Sequence, residues 1–142
     1  MNRFDRAKRR LFRLAQVHRE VEAHVELEEL PPEAKDGSRI LQGFIAEVRK
    51  GDKPFCDVRI RNQDGQCTLT AKFRPLHQEA EMKISKEMFD ALWPDVEKVE
   101  KKTRYRIDGW DVDELDDGRI FAEYEFKDGE KKIEVPEHWK RK

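Results

Sequence analysis

Cysteine is scarce: the 142 residues contain two, Cys56 and Cys67. Their spacing fits no metal-binding pattern, and free thiols suit a reducing cytosol. Long apolar runs are missing as well. None approaches the ~20 residues that a membrane span needs, and the N-terminus lacks the apolar core of a secretory signal. Net charge is almost absent, because 30 Lys and Arg offset 31 Asp and Glu to leave −1. That balance removes the electrostatic footprint of a general nucleic-acid binder. The exception is the N-terminus, where Arg3, Arg6, Lys8, Arg9, Arg10 and Arg13 crowd together. A cytoplasmic domain is expected, with neither nucleic acid nor membrane as its partner.

What the chain does have is charge of both signs. Charged residues make up 43% and hydrophobic residues 37%, a balance at which disorder must be weighed. The near-zero net charge argues against disorder, and three Trp and eight Phe supply aromatic anchors. One folded domain results, with many charges that need a place in the fold.

Hydrophobic periodicity assigns the elements. Phe4, Ala7, Leu11, Leu14 or Ala15, and His18 recur at helical spacing, so residues 1–19 read as a basic N-terminal helix ahead of a domain over 20–142. From Glu20 the period becomes two: Val21, Ala23, Val25 and Leu27 alternate with Glu20, Glu22, His24 and Glu26. Further strands are expected over 40–47, 55–62, 67–73, 79–84, 101–107, 110–115 and 120–126. Gln63-Asp64-Gly65-Gln66 and Asp108-Gly109 read as hairpin turns. Ser85 is an N-cap for a short helix through Met88, Phe89 and Leu92, and Pro136 opens a short C-terminal helix. The fold class is therefore mainly β (α+β), an antiparallel barrel or sandwich with a few peripheral helices. Trp93, Trp110 and Trp139 read as packing anchors, as does His18, and His77 and His138 are assigned no role.

The polar faces carry charges sorted by sign. Glu20, Glu22 and His24 share one face of the first strand. Arg59 and Arg61 oppose Val58 and Ile60, Lys72 and Arg74 oppose Ala71 and Phe73, and Lys102, Arg104 and Arg106 oppose Thr103, Tyr105 and Ile107. Acidic pairs follow at Glu79/Glu81, Asp111/Asp113 and Glu123/Glu125. Solvated faces would explain each strand singly. They explain the set less well, since like charges gathered on a face weaken strand pairing. A ligand of both signs suits them better: a divalent cation taking carboxylate oxygens, and a polyphosphate taking arginine forks. Turned inward by a closed barrel, these faces would line a charged bore.

Taken in order, these segments resemble the CYTH, or triphosphate tunnel metalloenzyme, superfamily over roughly residues 18–140. Glu20-Val21-Glu22-Ala23-His24 resembles the family's opening Glu-x-Glu-x-Lys, and Ile40-Leu41-Gln42-Gly43-Phe44 its Gln-Gly-aromatic strand. Val58-Arg59-Ile60-Arg61, Leu69-Thr70-Ala71-Lys72 and Glu79-Ala80-Glu81 resemble its Arg-x-Arg, Leu-Thr-x-Lys and Glu-x-Glu. Lys102-Thr103-Arg104-Tyr105, Trp110-Asp111-Val112-Asp113 and Ala122-Glu123-Tyr124-Glu125 resemble the closing segments.

The resemblance implies an eight-stranded antiparallel β-barrel, the triphosphate tunnel, acting on a metal-bound triphosphate. It implies that Glu20, Glu22, Glu123 and Glu125 bind Mg²⁺ or Mn²⁺, with Glu79 and Glu81 near a second metal or water. Arg59, Arg61, Lys72, Lys102 and Arg104 would hold the phosphates, and Asp113 would orient a neighbouring cation or, on a plainer reading, belong to the turn at 116–118. His24 departs from the family's Lys: it either serves as a phosphate contact or marks a tolerated or inactivating replacement. The expected activity is metal-dependent hydrolysis of a triphosphate, with inorganic triphosphate favoured. Adenylate cyclase chemistry and triphosphate binding without turnover are the competing readings. The base that activates water is left open among Glu79, Glu81 and Glu22, and a homodimer is left open.

Overall fold

The computed structural model describes residues 16–19, 22–127, 129–131 and 133–142. Nine antiparallel strands and one α-helix form among them. The strands are β1 (Gln16–Arg19), β2 (Glu22–Leu27), β3 (Ser38–Lys50), β4 (Lys53–Gln63), β5 (Gln66–Phe73), β6 (Gln78–Ile84), β7 (Lys98–Ile107), β8 (Trp110–Leu115) and β9 (Ile120–Glu125). The helix is α1 (Lys86–Leu92). The chain divides into two compact units, one built on 16–19 and Gln42–Val99, the other on 22–41 and Glu100–Lys142. In the first the strand order is β1-β6-β5-β4-β3, and in the second β3-β7-β8-β9-β2.

The mainly antiparallel β architecture is thus the one the alternating pattern predicts, and its differences from expectation have local causes. Residues 1–15 of the N-terminal helix expected over 1–19 lie outside the described residues, as does Glu20. Its last four residues are not helical: Gln16–Arg19 pair antiparallel with β6, in a register that sets His18 opposite Glu79. Ladder hydrogen bonds there outweigh a helical periodicity that is weak at its end. β3 and β4 run longer than expected because Gly51, at φ +62, closes a tighter turn and leaves Pro54 near the start of a strand, where a missing N–H is tolerated. The C-terminal helix expected at Pro136 is a single turn, closed by Trp139 N–H donating to the Pro136 carbonyl at 3.0 Å. The chain then runs beside β2 as an extended strap, with Glu28 N–H on the Lys140 carbonyl and Lys142 N–H on the Glu26 carbonyl.

In the second unit, alternation separates two faces of the sheet. Leu27, Ile107, Trp110, Val112, Ile120 and Ala122 form a buried apolar face, which Val135 and Trp139 cover. Trp139 meets Trp110 edge-on at 5.9 Å and donates its indole N–H to Glu33 at 3.2 Å. Each fully buried side chain of this size contributes roughly 1.5–3 kcal/mol. The opposite face carries the charges. Asp108-Gly109, both at positive φ, close the β7–β8 hairpin and fix which side chains meet across it.

In the first unit the Asp64-Gly65 turn does the same for β4 and β5, with Gly65 N–H on the Asn62 side chain at 2.8 Å. Ser85 caps α1 by accepting from Met88 N–H at 3.1 Å. Phe89 stacks on Trp93 at 5.2 Å. Gly43 lets β3 pass close beneath this cluster, since a Cβ there would lie 2.6 Å from a Val96 methyl. No helix among the described residues is long and apolar enough to cross a membrane.

Candidate phosphate and metal site

The charged face of the second unit is built by register. Arg104 lies opposite Asp113 and Arg106 opposite Asp111 across β7–β8. Asp111 in turn faces Glu123 across β8–β9. Glu123 faces His24, and Glu125 faces Glu22, across β9–β2. Apart from Glu20, which lies outside the described residues, the expected cations and carboxylates of this unit therefore share one sheet face.

Asp113 is the hub. It is 2% exposed and its carboxylate accepts from Arg104 Nε at 2.7 Å and Nη2 at 2.9 Å, a two-pronged pairing. Lys102, itself 7% exposed, reaches the same carboxylate at 2.9 Å and Glu100 at 3.2 Å. The turn at 116–118 is made without Asp113: Asp117 accepts from Arg119 N–H, and Gly118 takes φ +96. Burial pushes the Asp113 carboxyl up, and the Arg104 hydrogen bonds and the Arg104 and Lys102 charges overcome it, so it is held below the usual carboxylate range. Burial likewise works against the charged Arg104, but Asp113, Asp111 and Glu123 more than offset it and raise its pKa. Arg104 thus stays charged in a poorly hydrated setting.

His24 is exposed beside this hub. Its Nδ1 lies 3.6 Å from a Glu123 carboxylate oxygen and its ring meets Phe121 edge-on at 5.1 Å. Glu22 and Glu125 stand directly opposite one another. Among the described residues no three His, Cys, Asp or Glu side chains converge closely enough to hold a metal ion.

The charged face of the first unit is also built by register. Asp57, Lys72 and Glu79 form one row across β4, β5 and β6, and Arg59, Thr70 and Glu81 form the next. Arg61 donates to the Gln42 amide oxygen from Nε at 3.1 Å and Nη2 at 3.0 Å. Arg59 donates to Asp57 from Nε at 2.9 Å, and its guanidinium lies 4.9 Å from the Phe44 ring centre. The Gln-Gly-aromatic segment thus has a physical meaning: Gln42 orients Arg61, Gly43 admits Trp93 and Val96, and Phe44 supports Arg59.

Sequence reasoning passed over Asp57, Gln42 as a side chain that orients another, and Glu100. A signal for Asp57 was present: it shares a strand face with Arg59 and Arg61, the one acid in a basic run. Nothing marked Glu100 out from the many surface acids.

The sequence matches no protein-family profile and no curated protein. Solved structures do match. The inorganic triphosphatase NE1496 aligns over 87% of this chain and 85% of its own, at 21% identity and a TM-score of 0.56. HpAC1 from Hippeastrum, named for adenylyl cyclase and showing a dominant triphosphatase activity, aligns over 77% and 80% at 15% identity and a TM-score of 0.51. The PH1012 protein of Pyrococcus horikoshii OT3 aligns over 78% and 80% at 16% identity, with the same TM-score of 0.51. These likenesses show that the chain shares its fold with those proteins.

Proposed function

We propose that this chain is a metal-dependent triphosphatase with inorganic triphosphate as its substrate. The observation that carries the reading is the pair of cations, buried Lys102 and largely shielded Arg104, both paired to the buried Asp113 on a face whose next strands present Glu123, Glu125, Glu22 and His24. Fixed cations of this kind match phosphate oxygens without reorganising as charge moves. The names of NE1496 and HpAC1 point the same way.

In this reading Glu20, Glu22, Glu123 and Glu125 would hold Mg²⁺ or Mn²⁺, the last three standing on nearby rungs of β2 and β9 from which the ion would draw their carboxylates together. Hard carboxylate oxygens are the donors such ions take. Glu22 and Glu125 stand directly opposite one another, and a divalent cation held there would offset their like charge. A bound ion of this kind neutralises phosphate oxygens and polarises phosphorus toward attack. Lys102 and Arg104, with Arg59, Arg61 and Lys72, neutralise and orient the phosphates, and Asp113 keeps its two cations aimed. Water is the nucleophile, and Glu79, Glu81 and Glu22 are the groups able to take its proton. His24 contacts the phosphates.

A second reading, triphosphate binding without turnover, rests on His24, an exposed imidazole where the resemblance implies a permanent ammonium. His24→Lys is expected to raise kcat by about tenfold, the scale of one added charge-assisted contact. A fall in kcat would show instead that the site is adapted to imidazole.

The substrate is tested by phosphate release from inorganic triphosphate, ATP and thiamine triphosphate, with product analysis for ATP. Cyclic AMP and pyrophosphate would identify a cyclase, and a preference for ATP or thiamine triphosphate would displace inorganic triphosphate as the substrate.

A further inference from the structure

Two guanidinium groups in the first unit converge on one buried acid. The Asp57 side chain is fully buried. Its Oδ1 accepts from Arg59 Nε at 2.9 Å and lies 2.8 Å from Arg59 Nη2, while its Oδ2 accepts from Arg74 Nη2 at 2.9 Å. Arg74 does not come from a strand: it opens the 3-10 turn Arg74–Leu76 that follows β5.

The trio has three physical consequences. One carboxylate between two guanidiniums leaves the group with a net positive charge, so a site for anions survives the pairing. Arg59 is also immobilised on two sides, by Asp57 and by the Phe44 ring, so little side-chain entropy is left to lose when a ligand arrives. Finally, Arg74 Nε is buried without an acceptor among the described residues, although the side chain as a whole is 39% exposed. A buried donor without a partner is unfavourable, and an anionic oxygen would satisfy it.

We propose that Asp57 is a positioning residue that clamps Arg59 and recruits Arg74 as a further phosphate-binding cation. The inference rests on the proposed triphosphatase reading and extends it to two residues outside the basic strand set first assigned to phosphate. Asp57 acts through the arginines and does not touch the substrate; Arg74 does.

The test is a double-mutant cycle read by calorimetric binding of inorganic triphosphate and by the division between KM and kcat. Asp57→Asn, which keeps the shape and one acceptor oxygen, is expected to weaken binding about tenfold, with Arg74→Gln weakening it to a similar degree. Because Asp57 acts through the arginines it holds, the two changes together are expected to weaken binding little more than either alone. Arg74→Gln alters a half-exposed side chain, so it reports even if Asp57→Asn fails to fold. A purely structural Asp57 would lower the melting temperature and leave the affinity of the folded fraction unchanged. Triphosphate affinity unaltered by Arg74→Gln, or losses that simply add, would overturn the inference while leaving the triphosphatase reading intact. Wild-type chain that neither binds nor cleaves inorganic triphosphate would overturn both.

Discussion

Asp113→Ala is expected to destabilise the chain by about 3–5 kcal/mol, because it strips a buried charge network of the carboxylate that pairs both its cations. Among the described residues Lys102 would keep Glu100 at 3.2 Å, and Arg104 would keep Asp111 at 3.7 Å, while both side chains stay largely shielded. Chemical denaturation at neutral pH measures the loss, and one below about 1 kcal/mol would mean that water or neighbouring acids replace Asp113 easily. The pH dependence follows from the direction of the shift. The Asp113 carboxyl titrates below its ordinary value, so its contribution is complete above the usual carboxylate range of about 3.9 and is lost as pH falls through the depressed value. Asp113→Asn should therefore flatten the acid limb of the stability curve, with wild type and variant diverging at neutral pH and converging in strong acid.

Glu123→Ala and Glu125→Ala are each expected to cut metal-dependent turnover more than the about 10–100-fold typical of groups that only support a ligand. Both side chains lie on the charged face of β9, away from the apolar cluster. The fold should survive, as judged by circular dichroism and melting temperature. Manganese binding followed by electron paramagnetic resonance should weaken in parallel with activity. Full activity with intact metal binding would remove β9 from the metal site, and a collapsed spectrum would assign these residues a structural role.

How much of this was legible in the sequence differs by feature. Alternation in 120–126 and 110–115 identified both faces of β9 and β8, because one face is apolar throughout and a slip by one residue would invert it. The hairpins at Asp64-Gly65 and Asp108-Gly109 were readable since positive φ at two successive positions restricts the residues that fit. The partners were not readable. Lys102, Arg104 and Asp113 were singled out, but their convergence depends on the β7–β8 register, which the turn fixes and the strand composition does not. Asp57 was hidden by the sign-sorting argument itself, which counted Arg59 and Arg61 and passed over the acid that holds one of them. The strand at Gln16–Arg19 was hidden because its pairing with β6 is a long-range contact with no local signature.

The central claim is that the charged strands serve to hydrolyse a metal-bound triphosphate. The most direct measurement is phosphate release from inorganic triphosphate by the purified chain, with Mg²⁺ or Mn²⁺ present and then with the metal removed by chelation. Release that requires the metal, and returns when it is restored, is the predicted result. No release in either condition, with no calorimetric binding of triphosphate, would contradict the account.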